Sequence, residues 1–512
     1  MPGAAHAAPA AIGRVPGLRC RGLAMLRAAM NLLRIPLLIG LLALFALCAG
    51  CERVGKASGA AKLEPCRLPG LEREARCGSV TVPADPAASG GKQITVRYAV
   101  LPALARIKLA DPVFVLAGGP GQAATGVAGQ LGPVFDALNT RRDLVFVDQR
   151  GTGGSAAFEC PEPEQGLTEL DPARSIERLA ECVRRAPIDP ALLPTWIATR
   201  DLEAVRAALG AARINLWGAS YGTRAALDYL RQFPERVRSM VLDGVAPPDM
   251  ALPAAMSVDA EAALAQVLAR CRADAACRAR TPDLDATVDR LREAAARGDR
   301  VKVADPLTAQ SSEVALSPAL IAALLRAPLY VPGFAAVLPH ALAEAGAGRY
   351  EPLAALTMAL AGPVSRNFAE GMHYAVVCAE DLPRIDAEAR ARAAATRLGT
   401  SMLELYAQAC SVMPTRPVPA EFYTVPASPV PVLILSGGAD PATPPRHGES
   451  VAARLGNARH LVAPHLGHGV STVGCAPDLI TRFVRSASFE GIDEACLREV
   501  PAPVFFQPVA RP

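Results

Sequence analysis

Residues 216–223 have the sequence Leu-Trp-Gly-Ala-Ser-Tyr-Gly-Thr, and they continue a short apolar run that begins at Ile214. A helix-like pattern starts directly after them, which predicts that Ser220 lies on a sharp turn between a strand and a helix. The glycines two places before and two places after the serine allow the backbone to pass close to its neighbours and to expose the hydroxyl. A glycine-rich turn without any chemistry is the alternative, and the rest of the chain decides between the two.

Short, continuous apolar runs recur on both sides of this turn. Such runs are typical of strands that are buried on both faces of a parallel sheet, and here they alternate with helix-like segments. We therefore predict a mostly parallel, doubly wound α/β sheet. The predicted strands cover residues 79–83, 93–102, 112–117, 143–148, 238–242, 430–435 and 459–462.

The alternation stops between residues 248 and 426, where the sequence is rich in alanine and has the periodicity of helices. This predicts a helical cap inserted between the strand that ends near Asp243 and the strand that precedes Asp440. The predicted organisation is a signal peptide at 1–50, a tether at 51–62, the first part of the sheet domain at 63–248, the cap at 249–425, and the last part of the sheet domain with a C-terminal tail at 426–512.

The first 50 residues have the pattern of an export signal. They contain five arginines and no acidic residue, and the uncharged run at 35–49 is shorter than the roughly 20 residues that span a membrane. Ala49-Gly50-Cys51 resembles the bacterial lipobox, which predicts lipidation of Cys51, although Cys48 stands where that pattern prefers leucine. We expect an exported protein, periplasmic or in the cell envelope, that meets the membrane only through a lipid anchor; an uncleaved anchor is the alternative.

The charge and the motifs of the remaining chain exclude several classes of function. Without the five arginines of the leader, the formal net charge of +4 becomes −1, which gives no general attraction to nucleic acid. There is no phosphate-binding loop, and the cysteines after the leader show no C-x-x-C spacing for zinc. We therefore expect no nucleic-acid partner, no metal and no cofactor.

Apart from Cys51, ten cysteines follow the leader, and an even number in an exported chain indicates disulfides. They fall into neighbours along the chain, each closing a loop of modest length. The predicted pairs are Cys66–Cys77, Cys160–Cys182, Cys271–Cys277, Cys378–Cys410 and Cys475–Cys496.

Candidate partners for Ser220 follow it in the chain. In enzymes with a serine on such a turn, an acid comes next and a histidine last. Asp440 lies in the loop after a late predicted strand, and His468 lies between two glycines after the last one. His468 would remove the serine proton, and Asp440 would hold the histidine tautomer and compensate its positive charge. Asp243 is the alternative acid, and His465 is the alternative base.

An oxyanion formed at the serine needs backbone N–H donors at fixed positions. One donor is the residue after the nucleophile, here Tyr221, and the other comes from the loop after an earlier strand. Gly118-Gly119-Pro120-Gly121 is that loop, and Gly119 is the expected donor because proline has no N–H.

Together these motifs resemble the proline iminopeptidase and tripeptidyl aminopeptidase branch of the α/β-hydrolases, over roughly residues 65–500. The resemblance implies an α/β-hydrolase fold and a serine exopeptidase that releases amino-terminal residues or short oligopeptides from unblocked peptides through an acyl-enzyme on Ser220. Ala117 departs from the branch, because many members have histidine there, and the cap is its most variable part. The motifs are A-G-G-P-G (117–121), D-Q-R-G-T-G-G-S (148–155), W-G-A-S-Y-G-T (217–223), G-A-D-P-A-T-P (438–444) and G-H-G (467–469).

A site that recognises a peptide amino terminus needs a carboxylate to pair with the ammonium, because a buried unpaired charge is unfavourable. Glu380 and Asp381 end an apolar run of the cap that also looks like the cap segment of the aminopeptidase branch. We expect them to face Ser220 and bind the amine, with Glu380 favoured. The alternative is an acidic pair at a helix end or on the surface.

Two other functions remain open at this point. A carboxylesterase or lactonase could use the same three residues on an ester, because the fold does not distinguish acyl substrates. A non-catalytic envelope lipoprotein would give no reason for the three residues to be present together. Epoxide and haloalkane hydrolysis are disfavoured because the turn carries a serine and not an aspartate.

Overall fold

A computed structural model describes residues 62–88, 90–160, 172–305, 308–365 and 368–508. The predicted signal peptide and Cys51 lie outside these residues. Within the described ranges, no helix is both long and apolar enough to cross a membrane.

A nine-stranded sheet forms the centre of the protein, with the strand order β1-β2-β3-β5-β4-β6-β7-β10-β11. The first three strands and β5 pair antiparallel, and the six strands from β5 to β11 in that order pair parallel. The strands of this sheet are β1 (Glu64–Cys66), β2 (Ala75–Pro83), β3 (Gln93–Leu101), β4 (Val113–Leu116), β5 (Leu144–Val147), β6 (Ile214–Ala219), β7 (Val237–Asp243), β10 (Val432–Gly437) and β11 (Ala458–Ala463). The mostly parallel sheet predicted from the apolar runs is confirmed.

Helices lie in the connections between these strands. Before the cap they are α1 (Ala128–Leu131), α2 (Asp136–Asn139), α3 (Pro172–Arg184), α4 (Thr195–Ala208) and α5 (Tyr221–Gln232). In the cap they are α6 (Leu252–Ala273), α7 (Ala275–Arg280), α8 (Leu284–Arg297), α9 (Pro318–Arg326), α10 (Pro332–Gly346), α11 (Glu351–Ser365), α12 (Glu370–Glu380), α13 (Ala387–Ala394) and α14 (Ser401–Ser411). After the cap they are α15 (Pro445–Leu455), α16 (Ala476–Ser486) and α17 (Ala495–Arg498).

The sheet is covered on both faces, which is why its central strands are apolar throughout. All four residues of β4 are buried, and their side chains alternate between two clusters. Phe114 and Leu116 pack in the cluster that includes residues of α4 and α5. Val113 and Val115 pack in the cluster that includes residues of α2 and α16. A strand that contributes to two apolar layers has no polar face, as expected for parallel strands.

The segment between β7 and β10 is the inserted helical cap, as predicted. It has a hydrophobic core of its own, built mainly from alanine and leucine side chains. The cap also contains an antiparallel hairpin of β8 (Arg300–Ala304) and β9 (Ser311–Ala315) that no sequence pattern indicated. Only one residue of each strand is buried, so neither forms an apolar run. The exact domain limits at residues 248 and 425 stay a prediction.

The C-terminal tail returns from the sheet domain to the cap. Leu497 is buried in the cluster beside α16, whereas Phe505 is buried in the core of the cap. Arg270 of α6 donates to the carbonyl of Pro503 at 2.9 Å and lies 5.1 Å from the centre of the Phe505 ring. The Phe506 N–H donates to the carbonyl of Ala336 at 3.1 Å. The tail is therefore a third connection between the two parts, beside the two ends of the insertion.

The described part of the chain contains five disulfides, and they join the same neighbours that the spacing indicates. They are Cys66–Cys77, Cys160–Cys182, Cys271–Cys277, Cys378–Cys410 and Cys475–Cys496. Such a number of disulfides is typical of proteins that fold in an oxidising compartment.

Candidate active site

Ser220 lies between the end of β6 and the start of α5. Its φ of 54° and ψ of −124° give a non-glycine residue a conformation that is unfavourable by about 1–3 kcal/mol unless its surroundings hold it. The Ser220 N–H donates to the carbonyl of Asp243 at 2.9 Å. Thr223 Oγ1 donates to the Ser220 carbonyl at 2.6 Å. The strained turn is thus held by the neighbouring strand β7 and by the first turn of α5.

Close backbone contacts require the two glycines of this turn. A Cβ atom on Gly222 would lie 2.2 Å from the carbonyl oxygen of Leu116, and one on Gly218 would lie 2.4 Å from the carbonyl oxygen of Gly222. A larger residue at either position would push α5 away from β4 and β6. Because Ser220 lies at the start of α5, the serine would move with it.

Asp440 and His468 come from the loops after β10 and β11 and form a hydrogen-bonded pair. His468 Nδ1 lies 2.8 Å from Asp440 Oδ2. The other carboxylate oxygen, Oδ1, accepts the N–H groups of Ala442 at 2.7 Å and Thr443 at 2.9 Å. Thr443 Oγ1 donates to Asp440 Oδ2 at 2.8 Å and lies 3.1 Å from His468 Nδ1. The carboxylate is therefore fixed by three donors in addition to the histidine.

The pair has the electrostatics of a base and its counter-ion. Burial alone would lower the pKa of His468, but the charge and hydrogen bond of Asp440 raise it above its ordinary value. Burial acts to raise the pKa of Asp440, and His468 together with the two backbone N–H donors outweighs it, so that this pKa is lowered. The aspartate thus stays ionised while the histidine gains basicity.

The cap holds the histidine loop from the other side. The His468 N–H donates to the carbonyl of Tyr330 at 3.1 Å, and the two rings are in edge-to-face contact with their centres 5.3 Å apart. Tyr330 ends a short 3₁₀ helix, Ala327–Tyr330, that follows α9. The position of His468 therefore depends on the cap as well as on the sheet.

The alternative acid and base have other surroundings. The Asp243 carboxylate accepts the N–H groups of Val470 at 2.9 Å and Ser471 at 2.8 Å, so it anchors the chain just after His468. Burial raises the pKa of Asp243. His465 makes no hydrogen bond with a described residue. No described acidic residue pairs with its side chain in the way that Asp440 pairs with His468. The geometry favours Asp440 and His468.

A small cavity of about 60 Å³ opens at Ser220. Its lining includes Gly119 and Tyr221, so the structure brings both predicted oxyanion donors to the serine. Tyr221 is the first residue of α5, where backbone N–H groups have no partner within the helix. Thr443 also lines the cavity and links it to the pair behind. The hydrogen bonds of the His468 ring go to Asp440 and Thr443, and none joins it to Ser220 in the described part of the chain.

Glu380 and Asp381 do not face this cavity, contrary to the expectation from the sequence. Both are completely buried where α12 ends, and both bond to the equally buried Arg224. Arg224 Nη1 lies 3.2 Å from Glu380 Oε2 and 2.9 Å from Asp381 Oδ1. Glu380 Oε1 also accepts the Thr195 N–H at 2.5 Å. It is Arg224 that lines the cavity, because the arginine, on the first turn of α5, lies next to Ser220.

Burial governs the charge of this group of three residues. It raises the pKa of Glu380 to about 7, although the charge of Arg224 opposes the rise. Burial likewise raises the pKa of Asp381, again opposed by Arg224. Asp381 Oδ2 has no hydrogen-bond partner among the described residues. One guanidinium thus faces two carboxyl groups. Near neutral pH, the carboxyl group of Glu380 is at the midpoint of its titration.

Four residues of the site were not predicted from the sequence, although Thr443 lies within the G-A-D-P-A-T-P motif. They are Thr443, Tyr330, Arg224 and Arg326. Thr443 could be inferred from its place three residues after Asp440, the spacing of an aspartate that accepts from its own turn. Tyr330 and Arg224 act through contacts between the cap and the sheet domain, and Arg326 contacts Tyr330 within the cap. The order of residues reveals none of these contacts. No group of described residues is arranged to hold a metal ion.

Residues 111–473 match the model of the α/β-hydrolase fold family. The chain belongs to this family. Among curated relatives, it is similar to the tripeptidyl aminopeptidase of Streptomyces lividans, with 31% identity over 196 residues, 35% of this chain and 36% of that protein. It is also similar to serine protease Hip1 of Mycobacterium tuberculosis, with 32% identity over 196 residues, 34% of this chain and 36% of that protein.

A third relative is the proline iminopeptidase of Neisseria meningitidis, with 29% identity over 134 residues, 26% of this chain and 32% of that protein. The chain spans about a third of the length of these curated relatives. The similarity to this branch of the α/β-hydrolases agrees with the resemblance that the motifs show.

Proposed function

We propose that this α/β-hydrolase is a serine exopeptidase that cleaves amino-terminal residues or short oligopeptides from unblocked peptides. The observation that carries the proposal is the pair of Asp440 and His468 beside a strained serine turn, with two backbone donors at the same cavity. The names of the three curated relatives, all peptidases, support peptides as the substrates.

The proposed roles are those that such side chains and backbone donors have in acyl transfer by a serine. His468 accepts the proton of Ser220 as the hydroxyl attacks the carbonyl carbon, and Asp440 stabilises the resulting imidazolium. The N–H groups of Gly119 and Tyr221 donate to the oxyanion of the tetrahedral intermediate. His468 then gives its proton to the leaving amine, and water releases the acyl group from Ser220 by the same steps. The raised pKa of His468 suits both directions of this transfer.

The amine-binding role of Glu380 and Asp381 stays a proposal, and the contacts of Arg224 define what it requires. A substrate ammonium would have to draw on the carboxylate that Arg224 leaves uncompensated. Such an ammonium favours the ionised form of Glu380, whose pKa is about 7 in the free protein. Binding of a free-amine peptide should therefore release about half a proton from Glu380 near pH 7.

We also propose that the protein acts outside the cytoplasm, attached by a lipid at Cys51. The five disulfides support export, because such bonds persist in oxidising compartments. Metabolic labelling with a fatty-acid analogue tests the anchor. Label on the parent and on Cys48→Ser, but not on Cys51→Ser, is the expected result.

The reaction is tested by turnover of matched substrates. Purified protein is given peptide anilides with a free amino terminus, the same anilides with an acetylated amino terminus, and short-chain esters. Ser220→Ala is the control for contaminating activity. Turnover of the free-amine anilides well above that of the acetylated ones is expected. Turnover of esters alone would replace the peptidase proposal with a carboxylesterase or lactonase.

A further inference from the structure

Arg326 is a second cation in the wall of the cavity at Ser220. It is the last residue of α9 and lines both this cavity and a neighbouring one of about 40 Å³. The second cavity is otherwise lined mainly by apolar side chains, among them Leu398 and Met402, and Arg326 is the charged residue of that lining. Arg326 thus stands where the two cavities meet.

The two arginines of the wall differ in their partners. Arg224 pairs with two buried acids, so its charge is neutralised within the protein. Arg326 forms no ion pair with an acid in the described ranges, and its Nε is buried without a hydrogen-bond partner. No acidic side chain lines either cavity. The wall beside Ser220 therefore carries one uncompensated positive charge.

Tyr330 fixes the direction of the Arg326 side chain. Arg326 Nη2 donates to the Tyr330 hydroxyl, and its guanidinium carbon lies 5.0 Å from the centre of the same ring. These contacts leave Nη1 without a hydrogen bond to any described residue. A guanidinium held in one orientation loses little freedom when it binds a carboxylate, which it can contact through planar N–H donors.

We propose that Arg326 binds a carboxylate of the substrate, so that this hydrolase prefers acyl substrates bearing a negative charge near the scissile bond. As far as it concerns peptide substrates, this inference rests on the proposed function. The carboxylate is either the C-terminal group of a short peptide or the side chain of an aspartate or glutamate. A substrate carboxylate would supply the charge partner that the protein itself does not offer to Arg326. It would also cover the polar end of an otherwise apolar second cavity.

The test measures kcat/KM for substrates that differ only in this charge. The peptide set is a short peptide with a free C-terminus, its C-terminal amide, and the amide with one glutamate. A second pair consists of the nitrophenyl monoester of a dicarboxylic acid and the neutral nitrophenyl ester of equal length. The variants are Arg326→Gln and Arg326→Lys, with Arg270→Gln as the matched control. Arg270 is also a cap arginine that stacks on an aromatic ring, but it lines neither cavity.

Arg326→Gln should lower kcat/KM roughly tenfold to a hundredfold for the charged substrates and less than about threefold for their neutral partners. Arg326→Lys should restore part of the difference, and Arg270→Gln should leave it unchanged. A loss on the peptide with a free C-terminus identifies the C-terminal group as the carboxylate that Arg326 binds. A loss on the amide with one glutamate identifies the side chain instead.

Two results would overturn the proposal. Equal losses on charged and neutral substrates would mean that Arg326 serves only to hold Tyr330 and, through it, His468. A parent enzyme without preference for charge, on peptides and esters alike, would exclude the subsite outright. Failure of the proposed function looks different, because it removes turnover of all peptides while the ester pair still reports on Arg326.

Discussion

Replacement of Glu380 by glutamine tests the buried acid pair, because glutamine has the shape of the protonated acid but cannot ionise. Burial raises the pKa of Glu380 to about 7 from its ordinary value of 4.5. Between these two pH values the folded protein keeps a proton that the unfolded chain has released. The stabilising contribution of this proton is complete below pH 4.5 and is lost as the pH rises through 7.

The size of the effect follows from the two pKa values. Their difference corresponds to about 3 kcal/mol of unfolding free energy once both forms are ionised, above pH 7. Glu380→Gln escapes this loss because it has nothing to ionise. Relative to the parent, the variant should gain less than about 1 kcal/mol at pH 5 and about 3 kcal/mol at pH 8. For a chain of this size, the latter raises the midpoint of thermal unfolding by about 3 °C.

The assay is thermal unfolding at both pH values, followed by the fluorescence of the two tryptophans, Trp196 and Trp217. Glu344→Gln is the control, because Glu344 pairs with Arg349 at the surface and its pKa is lowered, mainly by that hydrogen bond. The control should lose stability where Glu380→Gln gains it. If Glu380→Gln is instead less stable than the parent at pH 8, the acid is ionised in the folded protein and its charge holds Arg224.

The remaining predictions concern the site and one disulfide. Ser220→Ala should abolish turnover and labelling by a fluorophosphonate while the thermal midpoint stays within a few degrees of the parent. Asp440→Asn should lower kcat by about four orders of magnitude through the wrong histidine tautomer; a larger loss in Asp243→Asn than in Asp440→Asn would reverse the acid assignment. Glu380→Gln should raise KM for free-amine peptides by the equivalent of about 1–3 kcal/mol and leave neutral esters unchanged, whereas equal effects on both would assign Glu380 to support of the cap. Joint replacement of Cys378 and Cys410 by serine should lower the unfolding free energy by about 3–4 kcal/mol, as expected for the loop of 32 residues that they close; unchanged denaturation under reducing and oxidising conditions would contradict this.

The parts of the fold that were predictable depend on local patterns. The strand Val113–Leu116 is buried on both faces, so every residue is apolar and the run is visible in the sequence. The turn at Ser220 needs glycines on both sides because of backbone contacts, so it leaves a spaced motif. The hairpin of β8 and β9 lies at the surface with little burial, and neither its composition nor its periodicity distinguishes it from a loop.

The parts of the site that were not predictable depend on contacts between distant segments. As long as its partner in the protein is unknown, an acidic residue such as Glu380 in an apolar run of the cap is easily taken for the ligand of a substrate amine. The partner is Arg224, which lies 156 residues away from Glu380 in the chain. A helix residue such as Arg224 has no feature that would indicate burial against the cap. The charge of the cavity wall could therefore be determined only from the structure, in which the cap and the sheet domain are in contact.

The C-terminal tail has a mechanical consequence for substrate entry. An inserted cap joined to its base at two neighbouring points can swing open like a lid on a hinge. Here the disulfide Cys475–Cys496 fastens the tail at its root, and Phe505 is embedded in the core of the cap at the far end. Because the tail attaches the cap on a further side, the cap cannot swing freely about its two ends. Opening of the cap, and with it access to Ser220, therefore requires that Phe505 leave this core or that the tail move with the cap.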